Sequence, residues 1–142
     1  MTETELSRSD RVNIDDAVMQ IYEDLTKDTN IEQSPFKTYK DVFMFAACLG
    51  YRNGSRRQLS SGKKQTIRRE VFTENDFSLL KAIAISATRD VDILLHLGDI
   101  LTIAEEYAHA GIQDLKVHLL GEHGHPLWNL VDLINSTYRR NK

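Results

Sequence analysis

Pro35-Phe36-Lys37-Thr38-Tyr39-Lys40-Asp41-Val42-Phe43-Met44-Phe45-Ala46-Ala47-Cys48-Leu49-Gly50-Tyr51-Arg52-Asn53-Gly54-Ser55-Arg56-Arg57-Gln58-Leu59 is the stretch that decides the fold. An apolar helix runs into glycine, and a basic loop follows at once. Val42, Phe43, Phe45, Ala46 and Leu49 fall at helical spacings, while Met44, Ala47 and Cys48 leave almost no polar face. A helix apolar nearly all round belongs in the middle of a core. Thr38 is its expected N-cap, with Asp41 three positions on to complete a capping arrangement. Gly50 is expected just past its end, so the helix is read as running to about Leu49.

The surrounding chain is long enough to bury that helix. It has 142 residues, 41% of them apolar, which fits one globular domain with no need of disulfides or a structural metal. Its one cysteine, Cys48, lies within the apolar helix and reads as a small core residue in a reducing compartment. No apolar run reaches membrane-spanning length. The acidic, polar start Met1-Thr2-Glu3-Thr4-Glu5-Leu6 is not a secretory signal. A soluble, cytoplasmic protein with no membrane contact is the expectation.

Upstream, Ile14, Val18, Ile21, Tyr22 and Leu25 make one stripe, so a helix is expected over Ile14 to Thr26. Asn13 would be its N-cap, and Asp15 and Asp16 would suit its positive end. Downstream, Gln65 to Phe72 reads as a short extended segment, and a two-stranded hairpin is expected between Gln58-Leu59 and Ile67 to Val71. Thr73-Glu74-Asn75-Asp76 opens a helix carrying Phe77, Leu80, Ile83 and Ala84. Thr88-Arg89-Asp90 is a break, followed by a helical turn from Asp90 to Leu95. Asp99 to Leu120 has apolar residues spaced by threes and fours, a long helix. Gly111 inside it signals close packing or a bend. Gly121 ends it, and Pro126 suits the first turn of a last helix carrying Leu127, Leu130, Val131 and Ile134. The fold class is therefore mainly α: one compact domain of five or six helices with a short β-hairpin around residues 58–72. The layout is a flexible N-terminus over 1–12, the helical domain over 13–138 with a basic loop over 51–69, and a basic tail over 139–142.

Charge distribution matters more than the net charge of −3. Arg52, Arg56, Arg57, Lys63, Lys64, Arg68 and Arg69 follow one another with no acidic residue between them, while the rest of the chain sets 11 basic side chains against 21 acidic ones. Such a run suits a phosphate backbone or an acidic protein face. The plainer reading is a solvated surface loop. Phosphate-loop spacing is absent from Asn53-Gly54-Ser55-Arg56-Arg57 and from Ser60-Ser61-Gly62-Lys63-Lys64. The repeated aromatics of a single-strand binder are also missing, Tyr51 alone flanking the run. The helix from Thr73 to Thr88 is too poor in basic residues to read a DNA groove.

Catalysis has little support. There is no Gly-x-Ser-x-Gly elbow, and Cys48 has no neighbouring histidine in sequence. Glu105 and His109 would share a helix face, but the second carboxylate–histidine pair of a bundle metal site is missing. His118, Glu122, His123 and His125 could hold zinc, nickel or copper; a polar turn between helices explains the same residues. No catalytic residue, metal or cofactor is assigned.

Pro35-Phe36-Lys37-Thr38 followed by Asp41-Val42-Phe43-Met44-Phe45-Ala46-Ala47-Cys48-Leu49-Gly50 and a basic loop resembles the dnd system-associated protein 4 family, small accessory proteins of DNA phosphorothioation gene clusters. Glu70-Val71-Phe72, Leu79-Leu80-Lys81-Ala82-Ile83-Ala84 and Glu105-Glu106-Tyr107-Ala108-His109-Ala110-Gly111-Ile112 extend the likeness, which covers about two thirds of the chain. The resemblance implies a prokaryotic DNA-modification or antiviral defence setting and transfers no catalytic residue. It frames two expectations. One is a non-enzymatic accessory protein that contacts DNA non-specifically, or a nucleoprotein partner, through the seven basic residues, Arg56 and Arg57 foremost. The other is an interaction module that docks on a larger defence ATPase or nuclease, or on a second copy of itself, without touching DNA.

Overall fold

A computed structural model describes residues 11–121 and 123–140, without the side chains of Arg139 and Arg140. The chain opens with strand β1 (Arg11–Asp15), a 3-10 turn over Asp16–Val18 and the short helix α1 (Met19–Asp24). Helix α2 (Tyr39–Arg52), strand β2 (Lys64–Arg68) and helix α3 (Glu74–Thr88) follow. A 3-10 turn over Val91–Leu95 leads into α4 (Leu97–Leu115), whose end loosens into a π turn over Lys116–Leu120. Helix α5 (Pro126–Arg140) completes the domain. The mainly helical fold with one short antiparallel sheet is the class the sequence implied.

The core helix is where the residues put it. Thr38 accepts from the Asp41 N–H at 3.2 Å, and Val42, Phe43, Ala46, Ala47 and Leu49 are buried. Its end differs from expectation. Gly50 lies inside the helix, which continues to Arg52. The stop is Gly54, in the left-handed region at φ +67°. Ser55 N–H donates to Gly50 O at 2.9 Å and Gly54 N–H to Tyr51 O at 3.0 Å. These two bonds make a Schellman motif, which satisfies carbonyls that the helix end would leave open.

Gly50 serves packing instead. A methyl group on it would lie 2.0 Å from Tyr107 O, and one on Gly111 would lie 1.9 Å from Ala46 O. The two glycines thus let the main chains of α2 and α4 touch. Ile100, Leu101, Ala104, Ala108, Ile112 and Leu115 of α4 are all buried in the same core.

The N-terminal segment departs most from the sequence reading. Arg11–Asp15 is a strand, not the lead-in to a helix over 14–26, and Asp15 rather than Asn13 caps the first turn by accepting from Ala17 N–H at 3.0 Å. Val12 and Ile14 alternate with polar neighbours, which fits a half-buried strand. The expected hairpin between 58–59 and 67–71 does not form. β2 pairs instead with β1, antiparallel, with Val12 opposite Ile67 and Arg11 opposite Arg68. The buried Val12–Ile67 pair gains more than an exposed local hairpin could, because both side chains leave water. Arg11 and Val12, placed in the flexible N-terminus by sequence, belong to this ribbon; residues 1–10 and 141–142 lie outside the described residues.

Two later helix starts agree with expectation, while α4 begins at Leu97, two residues before the expected Asp99, and gives way to the π turn at Lys116. Thr73 and Asp76 form a reciprocal capping box at α3. Pro126 opens α5. Among the described residues no helix is long and apolar enough to cross a membrane.

Candidate nucleic-acid interface

The basic run divides among three places. Arg52 ends α2, residues 53–63 form a strap, and Lys64, Arg68 and Arg69 belong to β2 and the turn after it. The strap is ordered by main-chain bonds along its length. It leaves α2 through the Schellman bonds, then Arg57 N–H donates to Glu106 O on α4 at 3.0 Å. Ser60 N–H donates to Asp15 Oδ2 at 2.8 Å, and Lys63 O accepts from Asp16 N–H at 3.1 Å. A loop with its backbone groups satisfied in this way holds its shape without a core of its own.

Most of the seven cations already have work within the fold. Arg56 Nε donates to Glu106 Oε1 at 2.8 Å and its guanidinium lies over the Tyr107 ring, 5.6 Å from the centroid. Arg52 donates to Thr137 O at 3.3 Å, bracing α5 against α2. Lys64 Nζ donates to the carbonyls of Ser60 and Gly62 and so closes the strap on itself. Arg69 stacks over Phe77. Arg68 pairs with Glu70 at 3.0 Å, with both side chains largely in water, where such a pair contributes little. Arg57 and Lys63 differ from these: among the described residues neither side chain has an ion pair or hydrogen bond. Of the two arginines ranked first by sequence, Arg56 is therefore engaged internally and Arg57 is presented outward.

Under the strap lies a charged cluster that spacing in sequence did not assemble. Asp15 is 3% exposed and Glu105 5%. Glu105 Oε2 accepts from Asn13 N–H at 2.6 Å, filling the free edge of β1. It does not pair with His109 on its own face; His109 Nε2 instead approaches Asp15 Oδ2, at 3.9 Å. Burial pushes the Asp15 carboxyl up, but the N–H groups of Ser60 and Ala17, with His109 beside them, outweigh it and hold the group at about 2. Burial pushes His109 below its usual value; Asp15 opposes this, while Arg57 and Lys64 add to it. Its Nδ1 is buried without a hydrogen-bond partner among the described residues, and His109 lines a cavity of about 10 Å³, room for about one water. Nothing in sequence marked Asp15 for this cluster, because the helix reading placed it on a helix N-terminus.

The histidines raised as metal ligands do not converge. His125 Nδ1 is 2.8 Å from Gln33 Nε2, and its other nitrogen faces Glu32 at 3.9 Å. Among the described residues no group of three or more histidine, cysteine, aspartate or glutamate side chains could hold a metal ion. Glu122 lies outside them.

The chain carrying this strap matches a known protein family. The family model for DNA sulphur modification system-associated protein 4 matches residues 11–141. The chain belongs to that family. The match begins at the first residue of β1 and runs through α5, so β1 and the last helix, which hold none of the residues quoted for the likeness, lie within the family's span. Members of this family are associated with DNA sulphur modification systems. Comparison with curated proteins and with solved structures gave no match.

Proposed function

We propose that this chain is a non-enzymatic accessory protein of a DNA sulphur modification system, in an antiviral setting, and that it contacts the DNA backbone or a nucleoprotein partner through the basic strap. One observation carries the reading: a strap fixed by its own main-chain bonds holds up Arg57 and Lys63 with no acidic partner among the described residues. Arg68, exposed beside them in sequence, is held by a solvent-screened pair that a phosphate could replace. Arginine offers two parallel donors to a phosphate, so Arg57 is the leading contact.

The test is fluorescence anisotropy with labelled duplex DNA across a salt series, with the wild type and an Arg57→Ala/Lys63→Ala double variant. Binding that weakens steeply with salt, and a double variant whose log–log salt slope is shallower by about 1–2, are the expected results. Unchanged affinity in the double variant would remove the strap from the interface.

A second reading, docking on a larger ATPase or nuclease or on a second copy, draws on α5. Trp128, Ile134 and Tyr138 are 56%, 46% and 62% exposed and recur along that helix. Co-purification with a protein partner that survives nuclease treatment would favour it.

A further inference from the structure

The β1–β2 ladder leaves one edge open, and its hydrogen-bond phase shows which groups it presents. In an antiparallel pair, directly opposed residues alternate between exchanging hydrogen bonds and turning their main-chain groups outward. Asp16 N–H donates to Lys63 O, continuing the register one step beyond Asp15–Lys64. Asn13, one of the intervening residues, sends its N–H away from β2 to Glu105. The two observations agree: Val12–Ile67 and Ile14–Gln65 are bonded pairs, and Arg11–Arg68, Asn13–Thr66 and Asp15–Lys64 are not. On β1 the outward N–H of Asn13 meets Glu105 of α4. On β2 the outward groups are the N–H and C=O of Lys64 and Thr66 and the N–H of Arg68; the Arg68 C=O opens the 3-10 turn over Arg69–Val71.

An open edge with a row of unpaired donors and acceptors is a template for another strand. The side chains around it restrict which strand. Lys64, Thr66 and Arg68 share one face of β2, with Lys63 and Arg69 at its two ends and no acidic residue anywhere from Arg52 to Arg69. A second copy of β2 would bring lysine and arginine against their own kind, which opposes self-pairing. A strand with carboxylates opposite Lys64 and Arg68 would be attracted at both ends of that face.

We propose that the free edge of β2 binds an extended acidic segment of a protein partner by strand addition, with carboxylates at alternate positions set against Lys64 and Arg68. Main-chain bonds to Lys64, Thr66 and Arg68 supply affinity, and the charges select the partner. This site uses neither Arg57 nor Lys63 and stands whether or not the strap contacts DNA; it shares only Arg68 with the proposed DNA contact.

The probe is the peptide acetyl-Val-Glu-Val-Glu-Val-Glu-amide, titrated into the ¹⁵N-labelled full chain. Shifts at the amides of residues 64–68, with slowed hydrogen exchange at Thr66 and Arg68, are expected. A peptide of the same composition N-methylated at alternate residues keeps its charge but cannot complete the ladder; it should bind at least tenfold more weakly. Thr66→Pro removes an outward N–H without touching a bond to β1, and should lose the peptide while keeping its melting temperature. Equal binding of the N-methylated peptide to the wild type would overturn strand addition in favour of charge attraction alone, even if Thr66→Pro did not fold. Protection of Thr66 and Arg68 by duplex DNA but not by peptide would overturn it in favour of nucleic acid at this edge.

Discussion

The carbonyl oxygen of Ala46 lies 1.9 Å from where a methyl group on Gly111 would sit. No side chain fits between α2 and α4 there, and the obstructing atoms are backbone, which cannot swing aside. Gly111→Ala would gain up to about 1 kcal/mol of helix propensity, but separating the helices over a core this large should cost more, for a net loss of at least about 2 kcal/mol. Urea unfolding monitored by circular dichroism would measure it. Gly50→Ala, which meets Tyr107 O at 2.0 Å, should behave alike. A neutral or stabilising result at both positions would mean that the helices do not approach this closely.

Asp15 ties β1, the first turn and the strap together, so its ionisation should appear in the pH dependence of stability. Its folded value of about 2 lies below its usual 3.8. A depressed carboxylate stabilises the fold above the unfolded value, and that contribution fades as pH falls from about 4 through 2. The contribution at neutral pH is of order 1–2 kcal/mol, and Asp15→Asn should remove most of it and flatten the acid limb. Thermal melts of both proteins between pH 2 and 7 would test this; parallel curves would dismiss the role of the charge.

Arg56 and Arg57 are neighbours in sequence with opposite duties. Arg56→Ala loses the Glu106 pair and the Tyr107 face, and should lower stability by about 0.5–1.5 kcal/mol. Arg57→Ala should leave the melting temperature within about 1 °C and weaken DNA binding instead. Differential scanning fluorimetry beside anisotropy separates the two. A larger stability loss at Arg57 than at Arg56 would reverse the assignment.

Thr73 caps α3 within a reciprocal box, and Asp76 also meets Lys40 of α2 at 2.9 Å. Thr73→Ala should cost about 1 kcal/mol. Asp76→Asn should cost more than the cap alone, since it also weakens a tie between two helices. Equal losses in chemical denaturation would show that the Lys40 contact adds nothing.

Local chemistry was legible in the sequence. Thr38, Thr73 and Pro126 start helices by interactions that span three or four residues, and all three were readable from their neighbours. Gly50 was read as a stop because glycine at a helix end and glycine at a helix crossing look identical in one dimension; Asn53-Gly54 carried the true signal. β1 was missed because Ile14, Val18 and Ile21 fit a helical stripe, while the reason for a strand, Ile67, is more than fifty residues away. With β1 misread, Asp15 could not be placed under the strap, and the order of the basic loop was invisible. The cations themselves were found, but which of them are engaged depends on Glu106, Tyr107 and Phe77, none of which their spacing reveals.

The ribbon joins residues about fifty positions apart, so its pairing carries the entropy cost of closing a long loop. The two short strands are held to the core by Val12, Ile14 and Ile67 and by the Asn13–Glu105 bond. When β1 peels away, Asp15 leaves Ser60 and the strap loses one of its anchors. The strap is thus tied to a long-range pairing, and any partner that grips β1 or β2 would hold Arg57 and Lys63 in place as a consequence.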